Sequence, residues 1–174
     1  MIRTLVAFAR LAGFVALTAL GAAALVPCGA RGRRWLFRLW SRTVLRLLGV
    51  TVHVVGALPR APVALVTNHL SYLDVPLLCA LIDATFVAKA DVEGWPALGP
   101  LARAVGTVFI DRSRKRDLLR VLPELHARLA GGESVVFFPE ATSSRGSEVL
   151  RFRSPVFEAP LRAGRPVVVA ALHY

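Results

Sequence analysis

The sequence predicts an α/β domain, a mixed and largely buried sheet flanked by helices, set behind an amino-terminal helical segment suited to a membrane. Three observations predict it. Short apolar, β-branched runs alternate with stretches of helical period, the pattern of strands joined by helical crossovers. A charge-free stretch, LAGFVALTALGAAALVP from Leu11 to Pro27, precedes them. The charge is also divided. Arg3, Arg10, Arg31, Arg33, Arg34, Arg38, Arg42, Arg46 and Arg60 all come before the first acidic residue, Asp74; the other 13 of the 22 basic residues nearly balance 11 acidic ones. A chain of 174 residues can bury one real core and carry a short appendage. With 55% hydrophobic residues and a mean hydropathy of +0.57, it is too apolar for an ordinary soluble domain.

Residues 1–48 read as a membrane anchor, and 49–174 as the folded domain. A full span needs roughly 20 apolar residues, and the stretch up to Pro27 is broken only by Arg3 and Arg10. Three readings compete: a cleaved signal peptide, a single spanning helix and a helix lying in the interface. Arg31, Arg33 and Arg34 come directly after it and oppose export, so they hold the domain in the cytoplasm. In RRWLFRLWSRTVLRLLG, Arg34, Arg38, Arg42 and Arg46 recur every four residues among Trp35, Leu36, Leu39, Trp40 and Leu47. A cationic helix with aromatic edges suits a headgroup boundary, and the partner it implies is a surface of anionic lipids. Arginines set among Leu, Val and Trp do not make a nucleic-acid footprint. The expected location is therefore a membrane, with the domain on the cytoplasmic face of the inner or plasma membrane. Cys28 and Cys79 form neither a disulfide framework nor a metal-ligand spacing; Cys79, in PLLCALI, reads as a buried thiol.

Within the domain, VTVHVVG alternates like a strand and PVALVTN is a short β-branched run. A helix over 71–81, the strand ATFVAKA and the loop-helix segment GWPALGPLARAVG come next, then the strand TVFIDR. From Asp117 to Ala130, Leu118, Leu122, Leu125 and Leu129 share one helical face; Pro123 is expected to kink that helix or to begin its main part, and Gly131-Gly132 ends it. The strand ESVVFFPE, a polar loop, a helix over 155–163 and the strand RPVVVAAL complete the order.

In TNHLSYLDVP, His69 and Asp74 are five residues apart. Ser71-x-x-Asp74 resembles a capping box, which would occupy Asp74 with a backbone amide. On one regular helix His69 and Asp74 would not meet, being about 140° apart. If the helix starts at Ser71, His69 lies in the preceding turn and Asp74 tilts back toward it. Asp74 then accepts from one imidazole nitrogen and leaves the other as a base. The residues alone leave both roles open.

The blocks NHLSYLD, GTVFIDR, FFPEATSS and PVVVAAL, in this order over roughly residues 50–172, resemble the glycerolipid acyltransferase family of lysophosphatidic acid acyltransferase-like enzymes, the 1-acylglycerol-3-phosphate O-acyltransferases. The resemblance implies that His69 deprotonates a lysolipid hydroxyl, which attacks the thioester of acyl-CoA or acyl-carrier protein, and that Asp74 orients His69. It requires no acyl-enzyme, no metal and no cofactor beyond the acyl donor. It also implies that Arg112 meets the polar or phosphate end of the acceptor; without it, Arg112 reads as part of the charged face DRSRKRD. Lys89, in FVAKAD, matches a lysine common between the first two blocks and reads equally as an anion contact or a surface charge. In the third block Glu140, Thr142 and Ser143 are substrate-binding candidates, with Ala141 standing where the family has glycine and Ser143 where it has arginine. Losing that arginine removes a fork suited to phosphate. The continuation VLRFRSPVFEAP resembles the branch that completes ornithine lipids. Family members usually continue past the fourth block, so Tyr174 suggests a carboxyl-terminal truncation with an exposed sheet edge. The alternative function is an impaired or truncated relative that binds membrane lipid. A basic, membrane-tethered interaction protein would leave the four ordered blocks unexplained.

Overall fold

The computed structural model describes residues 2–60, 62–96, 98–111 and 114–174. Two long helices come first, α1 (Ile2–Leu25) and α2 (Ala30–Leu48). They form an antiparallel hairpin: Gly13 faces Leu47 and Gly21 faces Trp40, where an added methyl group would sit only 3.3 Å from either side chain. Small residues at these positions let the two backbones approach closely. The Trp40 indole N–H donates to Thr18 Oγ1 at 3.3 Å, and Leu25, Trp40, Val44 and Leu101 form the small core that fastens the hairpin to the domain. The arginine stripe of α2 divides. Arg34 lies between Asp83 and Glu133, at 3.5 and 3.4 Å, and Arg42 Nε donates to the Ala80 carbonyl at 3.1 Å.

The sheet has the order β3-β2-β4-β1-β5, with β1 Ala64–Thr67, β2 Ala84–Lys89, β3 Val108–Ile110, β4 Ser134–Phe137 and β5 Val167–Ala170. Helices α3 (Asp74–Leu81), α4 (Leu98–Ala104), α5 (Lys115–Ala130) and α6 (Glu158–Arg162) connect successive strands. The expected α/β class and flanking helices are found. The sheet is parallel in every pairing among the described residues, not mixed. Each connection contains a helix that carries the chain back to the same end of the sheet, and such crossovers generate parallel neighbours.

Residues 50–56, expected as a strand, have no strand partner among the described residues, and Val55 is fully exposed. Their alternation is real, but β3 and β5 occupy the two edges of the sheet, and no described strand pairs with them. Helix α3 begins at Asp74, three residues later than expected. Helix α5 runs unbroken through Pro123 and starts at Lys115 rather than Asp117.

One sheet face packs Ala64, Val66, Ile110 and Phe137 against Val121, Leu125 and Leu129 of α5 and Ala159 of α6. The other packs Leu65, Phe86 and Val136 against Leu78, Cys79 and Ile82 of the α3 region. The expected burial of Cys79 is observed, with 6% exposed. Because all strands run one way, the segments that come after β1, β4 and β5 leave from one edge of the sheet. In open parallel sheets that carboxyl edge is where ligand crevices form.

Candidate functional site

Chain leaving β1 turns at Asn68-His69 and re-enters a helix at Asp74. Between them Ser71 Oγ accepts the Leu73 N–H at 2.9 Å, a local turn that brings Asp74 back over the loop. Asp74 Oδ2 then accepts from Leu70 N–H at 2.7 Å and Ser71 N–H at 3.1 Å. The Ser71 contact is one half of the expected capping box. The same oxygen lies 2.6 Å from His69 Nδ1. The cap and the imidazole contact therefore coexist on one carboxylate. His69 Nδ1 faces Asp74, which fixes the tautomer with its proton on Nδ1 and leaves Nε2 as the basic nitrogen.

Asp74 is fully buried, while the His69 side chain retains 18% exposure. Burial alone would raise the Asp74 carboxyl. Hydrogen bonds from His69, Tyr174 and the Ser71 and Leu70 amides outweigh it and hold the group below the ordinary carboxylate value. The Tyr174 phenol donates to Asp74 Oδ1 at 2.6 Å. Burial, and then the bond to the Asp74 carboxylate, push that phenol up to about 12. Tyr174 is held in register by Asn68, whose side chain accepts the Leu172 N–H at 2.7 Å and donates to the Leu172 carbonyl at 3.0 Å. The first and fourth blocks are thus stitched together across the end of the sheet.

The loop after β4 covers the same site. The Phe138 ring stacks on His69 with centroids 4.2 Å apart and planes 22° apart, and the Ser144 N–H donates to the His69 carbonyl at 2.8 Å. Glu140 is buried; its Oε1 accepts the Leu150 N–H at 3.1 Å, and its Oε2 has no partner among the described residues. Thr142 and Ser143 are exposed, joined by a 3.4 Å contact from the Thr142 hydroxyl to the Ser143 carbonyl. Ala141 has φ +65°, the left-handed region that favours glycine. The alanine in FPEATSS is therefore strained. Replacing it, Ala141→Gly, is expected to stabilise the protein by about 1 kcal/mol, raising Tm by about 2–4 °C in detergent. An unchanged or lower melting point in a thermal scan would count against strain at this turn.

The other expected residues are placed differently. Lys89 ends β2 at the surface and is paired with Asp91, which raises the lysine through that hydrogen bond. Arg112 lies outside the described residues. Burial pushes the Cys79 thiol up strongly, so it is no nucleophile at neutral pH. Among the described residues no cluster of three His, Cys, Asp or Glu side chains is arranged to hold a metal ion. Sequence reasoning missed Asn68, Phe138 and Tyr174. All three sit within or beside the ordered blocks, but their partners are distant in sequence.

A family model described as Acyltransferase matches residues 49–173. The lyso-ornithine lipid O-acyltransferase of Rhizobium meliloti is 43% identical over 132 residues, covering 75% of this chain and 45% of that protein. The lyso-ornithine lipid O-acyltransferase of Pseudomonas aeruginosa is 37% identical over 181 residues, covering 99% of this chain and 69% of that protein. The 1-acyl-sn-glycerol-3-phosphate acyltransferase of Neisseria meningitidis is 36% identical over 135 residues, covering 76% and 53%. The chain thus spans about half the length of the Rhizobium and Neisseria proteins. Among solved structures, the 1-acyl-sn-glycerophosphate acyltransferase of Thermotoga maritima shares the fold, with a TM-score of 0.63 at 21% identity over 91% of this chain and 73% of that one.

Proposed function

The chain belongs to the acyltransferase family, and from that membership we propose that it is a membrane-associated O-acyltransferase moving a fatty acyl group from acyl-CoA or acyl-carrier protein to a lysolipid hydroxyl. The observation that carries this reading is the buried Asp74 carboxylate 2.6 Å from His69 Nδ1 at the carboxyl edge of the sheet. Asp74 keeps the Nδ1 proton in place, so Nε2 takes the proton of the acceptor hydroxyl. The oxygen then attacks the thioester carbonyl and forms a tetrahedral intermediate. Its collapse breaks the carbon–sulfur bond, and the imidazolium returns the proton to the leaving thiolate. The ionised Asp74 favours that transient imidazolium.

Helix α1 supplies a membrane surface. Thr4–Leu25 is long and apolar enough to cross a bilayer, and only 6% of its apolar window is buried. Leu5, Phe8, Leu11, Val15 and Leu20 are all more than half exposed. Its partner α2, however, carries four arginines in its stripe and is sealed against α3, with Arg42 bonded to Ala80. A crossing α1 would carry arginines toward the hydrocarbon centre at about 2.5–3.5 kcal/mol each on insertion scales. That favours a hairpin lying along one leaflet, here the cytoplasmic one, where acyl donors are dissolved.

Ser143 offers no bidentate fork for a phosphate, and two of the relatives are named for lyso-ornithine lipid. We therefore rank lyso-ornithine lipid above lysophosphatidic acid as acceptor. The test is a sedimented membrane fraction bearing the chain, given labelled acyl-CoA or acyl-carrier protein and a panel of lysolipids. Acylated lyso-ornithine lipid in the pellet is expected. No acyl product from any acceptor would favour the second reading, a lipid-binding relative impaired in catalysis, which the strained Ala141 and the missing arginine motivate.

A further inference from the structure

We propose that Tyr174 is a positioning residue for the His69–Asp74 pair, its phenol holding the second carboxylate oxygen so that the first stays aimed at the imidazole. The inference rests on the acyltransferase reading for its kinetic consequence, but not for its geometry.

Asp74 gathers four donors, and they divide unequally. Oδ2 takes His69 Nδ1 and the amides of Leu70 and Ser71. These three all come from the loop between β1 and α3, so they turn with it. Among the described residues only the Tyr174 hydroxyl reaches Oδ1, at 2.6 Å, and it comes from beyond β5. Rotation about the Cβ–Cγ bond moves both oxygens together, so a bond at Oδ1 adds a restraint from the opposite side to those already acting on Oδ2. Asn68 secures the anchor point through its paired bonds to Leu172. Tyr174 therefore ties the orientation of Asp74 to the segment after β5, which Asn68 in turn fastens to the start of the loop that carries His69.

The bond also has an electronic effect. A phenol donating to Oδ1 draws charge from the carboxylate, which moderates its pull on the Nδ1 proton. The titratable neighbours that touch Asp74 are His69 and Tyr174. On the covering loop, Glu140 bonds away to Leu150, and Arg145 is exposed. Without the phenol, Asp74 binds the imidazolium more strongly.

The decisive variant is Tyr174→Phe, which keeps the ring and removes the donor. We expect kcat to fall about tenfold with KM for the lysolipid within twofold, and the acid limb of the pH–rate profile to move to higher pH. Nuclear magnetic resonance of 15N-histidine-labelled protein gives a second readout that needs no turnover: the His69 Nδ1–H resonance should shift in the variant. Asn68→Ala, which frees the segment without touching Asp74, should shift it in the same way. A part that is merely structural would lower melting temperature but leave the resonance and the acid limb in place, and that result overturns the proposal. If the unaltered protein acylates no lysolipid, the functional reading fails, whereas the resonance still decides whether Tyr174 positions the pair.

Discussion

Replacing His69 by alanine is expected to reduce acyl transfer by about 10²–10⁴-fold, the range that general-base catalysis supplies, while the protein remains folded. The fold survives because His69 is peripheral to both sheet cores, which are built from other residues. Its ring stacks on Phe138, a contact worth about 1 kcal/mol. Asp74 keeps three of its four donors in the variant: Leu70, Ser71 and Tyr174. Initial rates on matched amounts of membrane-bound protein, with circular dichroism as the control for folding, measure the effect. A variant that retained a tenth of the activity would leave the hydroxyl proton with another acceptor, and the mechanism would have to be abandoned.

Asp74→Asn should cost both activity and stability. An asparagine turned so that its oxygen faces His69, Leu70 and Ser71 presents its amide to Tyr174, whose hydroxyl can reverse and accept. The shape of the site is thereby preserved and the charge removed. With no carboxylate behind it, the imidazolium that forms on proton uptake loses its counter-ion, and the rate should fall about 10²-fold or more. Hydrogen bonds to a charged acceptor contribute about 1.5–3 kcal/mol, so the melting temperature should drop measurably too. Acid titration separates this from a generic loss. The Asp74 carboxyl titrates below its ordinary 3.8 in the folded protein, so the unfolded chain binds more protons between the two values. The stabilisation from Asp74 is therefore complete above the unfolded value and is lost as pH falls through the folded one. The asparagine variant should lack that acid-dependent component. An unfolding curve with the same acid slope as the parent would show that Asp74 is not held as described.

Much of this site was legible in TNHLSYLDVP because its contacts are local. The Ser71–Asp74 spacing announces a turn at the head of a helix, and the turn is what lets His69 reach Asp74 although the two would miss each other on a regular helix. The α/β class was legible for a similar reason, since short apolar runs such as ALVT and SVVF mark buried strands. Residues 50–56 show the limit. Alternation of side chains describes a shape the backbone can take, but a strand also needs a partner, and β3 and β5 already hold the edges. Parallel pairing was hidden for the same reason: strand direction depends on where each crossover lands. Asn68 and Tyr174 were invisible for want of locality, because each meets its partner only after the sheet has formed.

That separation has a consequence in time. His69 and Asp74 are five residues apart, whereas the bonds from Asn68 to Leu172 and from Asp74 to Tyr174 close intervals of 104 and 100 residues. At a synthesis rate of about 5–20 residues per second, His69 and Asp74 leave the ribosome roughly 5–20 seconds before Tyr174. The α1–α2 hairpin emerges earlier still. A nascent chain thus completes the α1–α2 hairpin first, can form the His69–Asp74 contact second and gains the Tyr174 bond last, so the full set of donors on Asp74 waits on translation past the fifth strand.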